Sequence, residues 1–272
     1  MEESDALGAG LAAELELALR LADAADALTL PAFDGRDFTL DWKANATEVT
    51  EIDRGTETLI AEMLEAERSH HGRYGEEHGL AGDTESPWRW VIDPIDGTSG
   101  FVRGIPVWAT LIALTHTDDG VVVGVVSAPA LGRRWSAARG LGTFVNGRPC
   151  RVSTTAELAE AQVSLTPNDG WDRLGLMPAL TALGQHARRV RGFGDFWQHC
   201  LVAEGAIDIA VDAVGVAPYD LAAVRVIVEE AGGRFTDRHG EPTHEHDTAV
   251  STNGRLHAEV IDRLSIAVTE PS

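Results

Sequence analysis

Hydrophobic positions recur at helical spacing over residues 4–29, an Ala- and Leu-rich stretch, and predict an amphipathic helix there. Residues 31–41 read as a break, and residues 45–50 as loop or short strand. Helical spacing returns over 53–68. Thr50 with Asp53 fits a helix start of the hydroxyl-x-x-acid type. Residues 70–88 carry Gly, Pro and charge and read mostly as turn. From Trp90 the period becomes that of strands: 107–115 and 121–128 pair through a turn at Asp118-Asp119-Gly120, and 133–138 and 143–145 extend the meander. The rest alternates. Strands at 162–166, 188–191, 207–211, 235–236 and 248–251 are interleaved with helices at 171–183, 196–204, 221–231 and 256–265. That order predicts helices, then an antiparallel sheet, then a smaller α/β half, with a division near 148/149 and an active site between the halves. No repeat or low-complexity segment interrupts it.

Composition narrows the function. The 272 residues suit one large globular unit, or two subdomains (1–148 and 149–272) sharing a core. A net charge of −21 argues against a nucleic-acid polymer as partner, because the phosphate backbone would be repelled. A small anionic substrate stays compatible, since bound cations invert the local field. Of 22 basic residues, one is lysine, Lys43, and the rest are Arg. Cys150 and Cys200 belong to no CxxC pattern and read as reduced thiols. No apolar run reaches membrane-spanning length and the N-terminus is acidic, so a cytoplasmic protein with no membrane partner is expected.

The densest chemistry lies at residues 90–101, WVIDPIDGTSGF. An apolar strand stops at Asp93-Pro94-Ile95-Asp96-Gly97-Thr98, where two acids three apart can converge. Two carboxylates held together call for a cation between them, and oxygen-only ligands favour a hard one such as Mg²⁺. Gly97 and Thr98 add backbone N–H groups and a hydroxyl beside it, which suits a phosphate. Two further acids stand elsewhere. Glu76, in Gly75-Glu76-Glu77-His78-Gly79, belongs either to a solvated acidic loop or to a metal site. Asp220, opening an apolar helix, is a helix cap, a metal ligand, or both. His70-His71 and the histidines of 239–246 lack metal-ligand spacing on one face and read as surface loops. The seven Trp residues read mostly as core.

Together these segments resemble the inositol monophosphatase superfamily. The resemblance rests on Val49-Thr50-Glu51-Ile52-Asp53, Gly75-Glu76-Glu77, the 93–98 block, and Asp220-Leu221-Ala222-Ala223 with Glu230-Ala231-Gly232-Gly233, and spans about residues 10–265. It is closer to the actinobacterial histidinol-phosphate phosphatases of that type through Phe101-Val102-Arg103-Gly104-Ile105-Pro106-Val107-Trp108, Pro129-Ala130-Leu131-Gly132-Arg133-Arg134-Trp135 and Arg191-Gly192-Phe193-Gly194-Asp195-Phe196-Trp197.

The resemblance implies an α/β layered fold of αβαβα type, commonly a homodimer. It also implies two or three Mg²⁺ per site, with Mn²⁺ able to substitute. Glu76, Asp93 and the Ile95 carbonyl would hold a first ion, Asp93, Asp96 and Asp220 a second, and Glu76 would help with a third. Gly97 and Thr98 would hold phosphate, while Thr98 with Asp53, assisted by Glu76, would position and deprotonate the attacking water. Asp96, Asp195 and Asp212 would face the substrate's alcohol half, where Asp195 could pair with an amine; a turn-forming role for Asp195 is the alternative. Arg103 and Arg191 read as structural pairs rather than phosphate contacts. The implied reaction is hydrolysis of a small phosphate monoester, L-histidinol phosphate to L-histidinol in histidine biosynthesis. The alternatives are another small phosphate (inositol, nucleoside or specialised-metabolite) or a non-catalytic regulatory role. The chain departs from the family pattern at Pro218-Tyr219, where relatives carry Trp before the late acid, at Asn45, where relatives often carry Asp, and at Ala213, where inositol-specific members carry an acid.

Overall fold

A computed structural model describes the backbone of residues 2–43 and 47–265 and the side chains of these from residue 10 onward. Asn45 lies outside the described residues. The chain begins with α1 (Glu2–Gly35), β1 (Leu40–Trp42), β2 (Glu48–Thr50) and α2 (Glu51–Arg68), followed by β3 (Gly72–Gly75), β4 (Gly79–Gly82), β5 (Trp88–Asp96) and the short α3 (Thr98–Arg103). A meander follows: β6 (Ala109–His116), β7 (Gly120–Ala128), β8 (Arg133–Ala138), β9 (Gly142–Val145) and β10 (Arg148–Pro149). The second half comprises β11 (Gln162–Leu165), α4 (Asp169–Arg173), α5 (Met177–His186), β12 (Arg189–Arg191), α6 (Asp195–Ala203), β13 (Ile209–Val211), α7 (Pro218–Glu230), β14 (Arg234–Thr236), β15 (Val250–Thr252) and α8 (His257–Ser265).

Five layers result. An eight-stranded sheet of order β10-β9-β8-β7-β6-β5-β3-β4 has α1 and α2 on one face. Its other face packs on α6 and α7 through Leu221, Val224, Ile227 and Val228. A five-stranded sheet of order β12-β11-β13-β15-β14 follows, closed by α5 and α8 over Val163, Leu183, Ile209 and Val260. Gly124 lets α7 lie close on β7: a Cβ there would meet Ala223 O at 2.6 Å and Val226 Cγ1 at 2.5 Å. The α/β layered architecture is therefore as expected.

Three local expectations need correction. The first helix does not stop before Pro31 but runs to Gly35. Proline costs one N–H, yet the last turns are held by Phe33, whose ring lies 5.5 Å from Phe101 and 5.3 Å from Trp108. Residues 70–88 are not mostly turn, because β3 and β4 form a hairpin there and β3 pairs parallel to β5, so the first sheet is mixed. Their glycines conceal these strands from propensity, and one is obligatory: a Cβ at Gly72 would fall 2.9 Å from Asp83 O. The helix expected over 171–183 is two helices, broken where Gly175 takes φ 69°.

Candidate active site

β5 carries two of the site's acids and bends to do so. In a regular strand, residues three apart point to opposite faces. Here the pairing of β5 with β6 shifts between Asp93, opposite Leu111, and Asp96, opposite Ala109. The extra residue turns the strand end so that both carboxylates converge. Thr110 Oγ1 donates to Pro94 O at 2.8 Å and Ile95 N to Asp93 Oδ1 at 3.0 Å, which fixes the bulge. Asp220 joins from the first turn of α7. It is the third helical residue, not the N-cap, and Ala217 N donates to its Oδ2 at 2.7 Å. A ligand oxygen from each of Asp93, Asp96 and Asp220 lies within 4.8 Å of the others, the one such group among the described residues.

Glu76 follows the β3 end and contributes a fourth acid. The loop is braced from below by buried Glu57, which accepts from Glu77 N at 2.8 Å and His78 N at 3.0 Å. Gly75 is needed for this approach, since a Cβ there would sit 1.9 Å from Glu57 Oε1. Burial, then the charges of Glu76, Asp96 and Asp220, push the Asp93 carboxyl well above its usual range. Burial and the charges of Asp195 and Asp220 do the same to Asp96. Burial raises Glu76 to about 7 and Asp220 to about 6. Acids placed so must share protons or a cation, and their oxygen donors match a hard divalent ion.

A stability signature follows. Each of these groups has a folded pKa above its unfolded value near 4, so its contribution favours folding at low pH and is lost as pH rises through the folded value. The window is set by Asp220 at about 6 and Glu76 at about 7. The metal-free protein is expected to lose thermal stability between pH 5 and 8, and Mg²⁺ to raise the melting temperature more at pH 8 than at pH 5. Scanning calorimetry in chelator and in Mg²⁺ checks this; a Mg²⁺ effect equal at both pH values would contradict it.

Thr98 and Asp53 form a second unit beside the acids. Asp53 is fully buried at the start of α2, where its Oδ2 accepts from Thr50 N at 2.8 Å and Thr50 Oγ1 at 2.6 Å, the reciprocal cap read from the sequence. Its Oδ1 faces Thr98 Oγ1 at 3.1 Å. The Thr98 hydroxyl also lies 2.9 Å from Ile95 O, and its single proton can go to either acceptor. Burial raises the Asp53 carboxyl above its usual range despite these contacts, which suits a proton acceptor. Gly97 takes φ 84°, and a Cβ there would meet Val107 O at 3.0 Å. At the opening of α3, the Gly97 and Thr98 N–H groups stand where a helix leaves donors without intrahelical acceptors. A cavity of about 520 Å³ covers this unit, and Trp42, Thr98, Arg103, Tyr219 and Asp220 are among its walls.

A smaller cavity of about 120 Å³ adjoins the acids, lined by Asp96, Thr166, Asp195, Asp212, Ala213 and Val216 among others. Asp195 opens α6 with φ 47°, a left-handed conformation that few non-glycine residues adopt. Burial, then the Asp212 charge, lifts its carboxyl to about 6. Asp212 lines the same cavity but is already engaged: Oδ1 accepts from Ala213 N at 2.8 Å and Oδ2 lies 2.9 Å from His199 Nε2. His199 in turn lies 2.7 Å from Ser251 Oγ through Nδ1. Asp96 Oδ2 accepts from Phe196 N at 2.7 Å, tying the end of β5 to the first turn of α6.

The sequence-nominated acids thus meet at one place, between the two sheets. Arg103 pairs with Glu48 at 2.9 Å and binds Ser99, and Arg191 donates to Val190 O at 2.7 Å. His70, His239 and His246 are exposed as read, but two histidines of those segments are not. His71 is buried, accepting from Trp90 Nε1 at 3.1 Å, and His244 is buried against Arg225; both fill gaps in packing. His78 orders the acidic loop through Glu57 at 3.0 Å. Trp42 is not core but exposed at the cavity mouth. Both cysteines are free thiols. Sequence reasoning missed Glu57, the His199–Ser251 support of Asp212, and Lys43, which reaches Glu76; being the sole lysine was its visible signal.

The description "Inositol monophosphatase family" fits residues 11–269. The chain belongs to the inositol monophosphatase family. It is 48% identical over 258 residues to the histidinol-phosphatase of Mycobacterium tuberculosis, covering 93% of this chain and 98% of that protein. It is 42% identical to the histidinol-phosphatase of Streptomyces coelicolor, covering 93% and 97%. The solved structure of the extragenic suppressor protein SuhB from Bartonella henselae superposes with a TM-score of 0.85 at 27% identity, over 94% of this chain and all of that one. Family membership makes the chain a metal-dependent phosphoric monoester hydrolase acting on a small phosphorylated substrate. No described helix is long and apolar enough to cross a membrane.

Proposed function

We propose that the chain hydrolyses L-histidinol phosphate to L-histidinol and phosphate with Mg²⁺, Mn²⁺ being able to replace it. The observation that carries the reading is the pair of adjoining cavities. One is lined by Glu76, Gly97, Thr98 and Asp220, while the other is walled by Asp96, Asp195 and Asp212 and shares Asp220 with the first. The first suits a phosphate with its divalent ions and the second a small alcohol half carrying positive charge. Residues 1–148 supply Asp53, Glu76, Asp93, Ile95, Asp96, Gly97 and Thr98; residues 149–272 supply Asp195, Asp212 and Asp220. The similarity to two actinobacterial histidinol-phosphatases supports the substrate.

On this reading Glu76, Asp93, Asp96, Asp220 and the Ile95 carbonyl hold two or three divalent ions. Such ions acidify water and offset phosphoryl charge. Gly97 and Thr98 orient the phosphate through N–H groups. The Thr98 hydroxyl, with Asp53 as acceptor, positions the attacking water and takes up its proton; Glu76 assists. Asp195 pairs with the substrate ammonium, and Asp212, held by His199, lines the same pocket. Ala213 puts a methyl group where an acid would serve sugar hydroxyls, which argues against inositol phosphate. Tyr219 on the wall of the larger cavity favours a second reading, a related small phosphate. A cytoplasmic homodimer is part of the proposal, and light scattering at twice the 29.1 kDa chain mass would support the dimer.

Asp195→Asn tests the substrate. It is expected to raise KM for histidinol phosphate about 30-fold, roughly 2 kcal/mol for a lost charge-assisted pair. The KM for a phosphate monoester with an uncharged alcohol half should change less than about threefold. Equal effects on both substrates would remove Asp195 from amine recognition.

A further inference from the structure

Everywhere but once, this chain uses arginine as its fixed cation: one of its 22 basic residues is lysine. Arg20, Arg54, Arg68, Arg73 and Arg134 make ion pairs around the α1–α2 layer and its borders. The exception sits in the active site. Lys43 follows β1, and its side chain is mostly buried. Its Nζ lies 2.8 Å from Glu76 Oε1 and 2.5 Å from Glu77 Oε1. Glu77 is itself nearly buried, and Glu57 beneath it accepts the Glu77 N–H. The ammonium thus occupies a place between two carboxylates, one of which belongs to the proposed metal set.

The residue type matters here. Guanidinium is a planar fork that clamps carboxylates through two parallel bonds, whereas ammonium is a compact point charge on a flexible stem. A side chain that must hold a carboxylate and later release it is better served by lysine. The carrier is also suited to moving. β1 and β2 form a two-stranded ribbon of three residues each, separate from both large sheets, and Leu40 and Trp42 on it are exposed. Such ribbons have little stability of their own, so displacement costs little.

We propose that Lys43 is a tethered counter-ion that sits between Glu76 and Glu77 in the metal-free enzyme, offsetting one of their two charges, and must leave Glu76 before a divalent cation can take that carboxylate. The inference rests on the reading that Glu76 is a metal ligand. A divalent ion at Glu76 and an ammonium within 3 Å of the same carboxylate repel one another, so the two occupancies exclude each other. Lys43 then acts as a positioning residue that sets how much free divalent ion the enzyme needs.

The test is Mn²⁺ binding without substrate, read by calorimetric titration or by paramagnetic resonance of free Mn²⁺, on full-length wild type, Lys43→Met, Lys43→Arg and Glu76→Gln. Lys43→Met is expected to bind Mn²⁺ at least about fivefold more tightly at its Glu76-dependent site. Lys43→Arg, which keeps the charge in a better clamp, should bind no more tightly than wild type. An unchanged or weaker affinity in Lys43→Met, or equal tightening in both variants, would overturn the proposal. Glu76→Gln separates the two claims. If it leaves Mn²⁺ affinity and stoichiometry unchanged, the ligand assignment of Glu76 fails. If it weakens binding while Lys43→Met tightens nothing, the failure is that of the counter-ion alone. Should Lys43→Met not fold, Lys43→Arg still decides: tighter binding than wild type overturns the proposal.

Discussion

Replacing Asp93 with Asn is expected to lower phosphate release by about 1,000-fold or more, roughly 4 kcal/mol at the transition state, while leaving the metal-free protein at least as stable as wild type. Asp93 is 2% exposed and stands among Glu76, Asp96 and Asp220. An amide of the same shape still accepts the Ile95 N–H that fixes the bulge. What it removes is one buried charge from a cluster of like charges. Without a cation that removal relieves repulsion; with one it removes the ligand that both proposed metal positions share. Thermal unfolding in chelator and in Mg²⁺, beside a phosphate-release assay, separates the two effects. A variant that keeps more than about a tenth of the activity, or loses several degrees of metal-free stability, would show that Asp93 is a structural residue instead.

Asp53→Asn is expected to lower kcat about 100-fold or more, within the range typical of a lost general base, with little change in KM. One oxygen of Asp53 is committed to Thr50 and the other faces Thr98. In the variant the amide oxygen can keep the Thr50 side, so α2 still starts correctly and the stability cost stays near 1 kcal/mol. The NH₂ then faces the Thr98 hydroxyl and can only donate. Thr98 loses its proton acceptor, while the Mg²⁺-dependent gain in melting temperature should persist. A raised KM with unchanged kcat would place Asp53 in binding rather than in proton transfer.

The legible parts of this molecule were those whose chemistry is local in the chain. Asp93 to Thr98 are contiguous, and a turn with Pro and Gly announces that a strand ends there. Thr50 and Asp53 cap one helix within four residues. Asp220 was readable through its place before an apolar helix, although its carboxylate turns back to Ala217 from the third position and not from the cap. What stayed hidden depends on contacts far apart in sequence. β3 and β4 contain four glycines and little β propensity, and their order comes from β5. Glu57 lies 20 residues from the Glu77 N–H it holds, and Lys43 lies 33 from Glu76. Asp212 looked like a free substrate ligand because nothing in its neighbourhood reveals that His199 and Ser251 would stand behind it. Pro31 was overruled by aromatic packing that no local rule contains.

The central claim is a divalent-metal phosphatase whose second cavity selects a cationic alcohol. Its most direct test is phosphate release by the wild-type enzyme from histidinol phosphate, inositol phosphate and nucleoside monophosphates, each with chelator and with Mg²⁺. Activity should appear only with Mg²⁺, and kcat/KM for histidinol phosphate should exceed the others by at least about tenfold, or 1.4 kcal/mol. Comparable or higher values for inositol or nucleoside phosphates would contradict the substrate, and no release from any monoester with Mg²⁺ or Mn²⁺ would contradict the reaction itself.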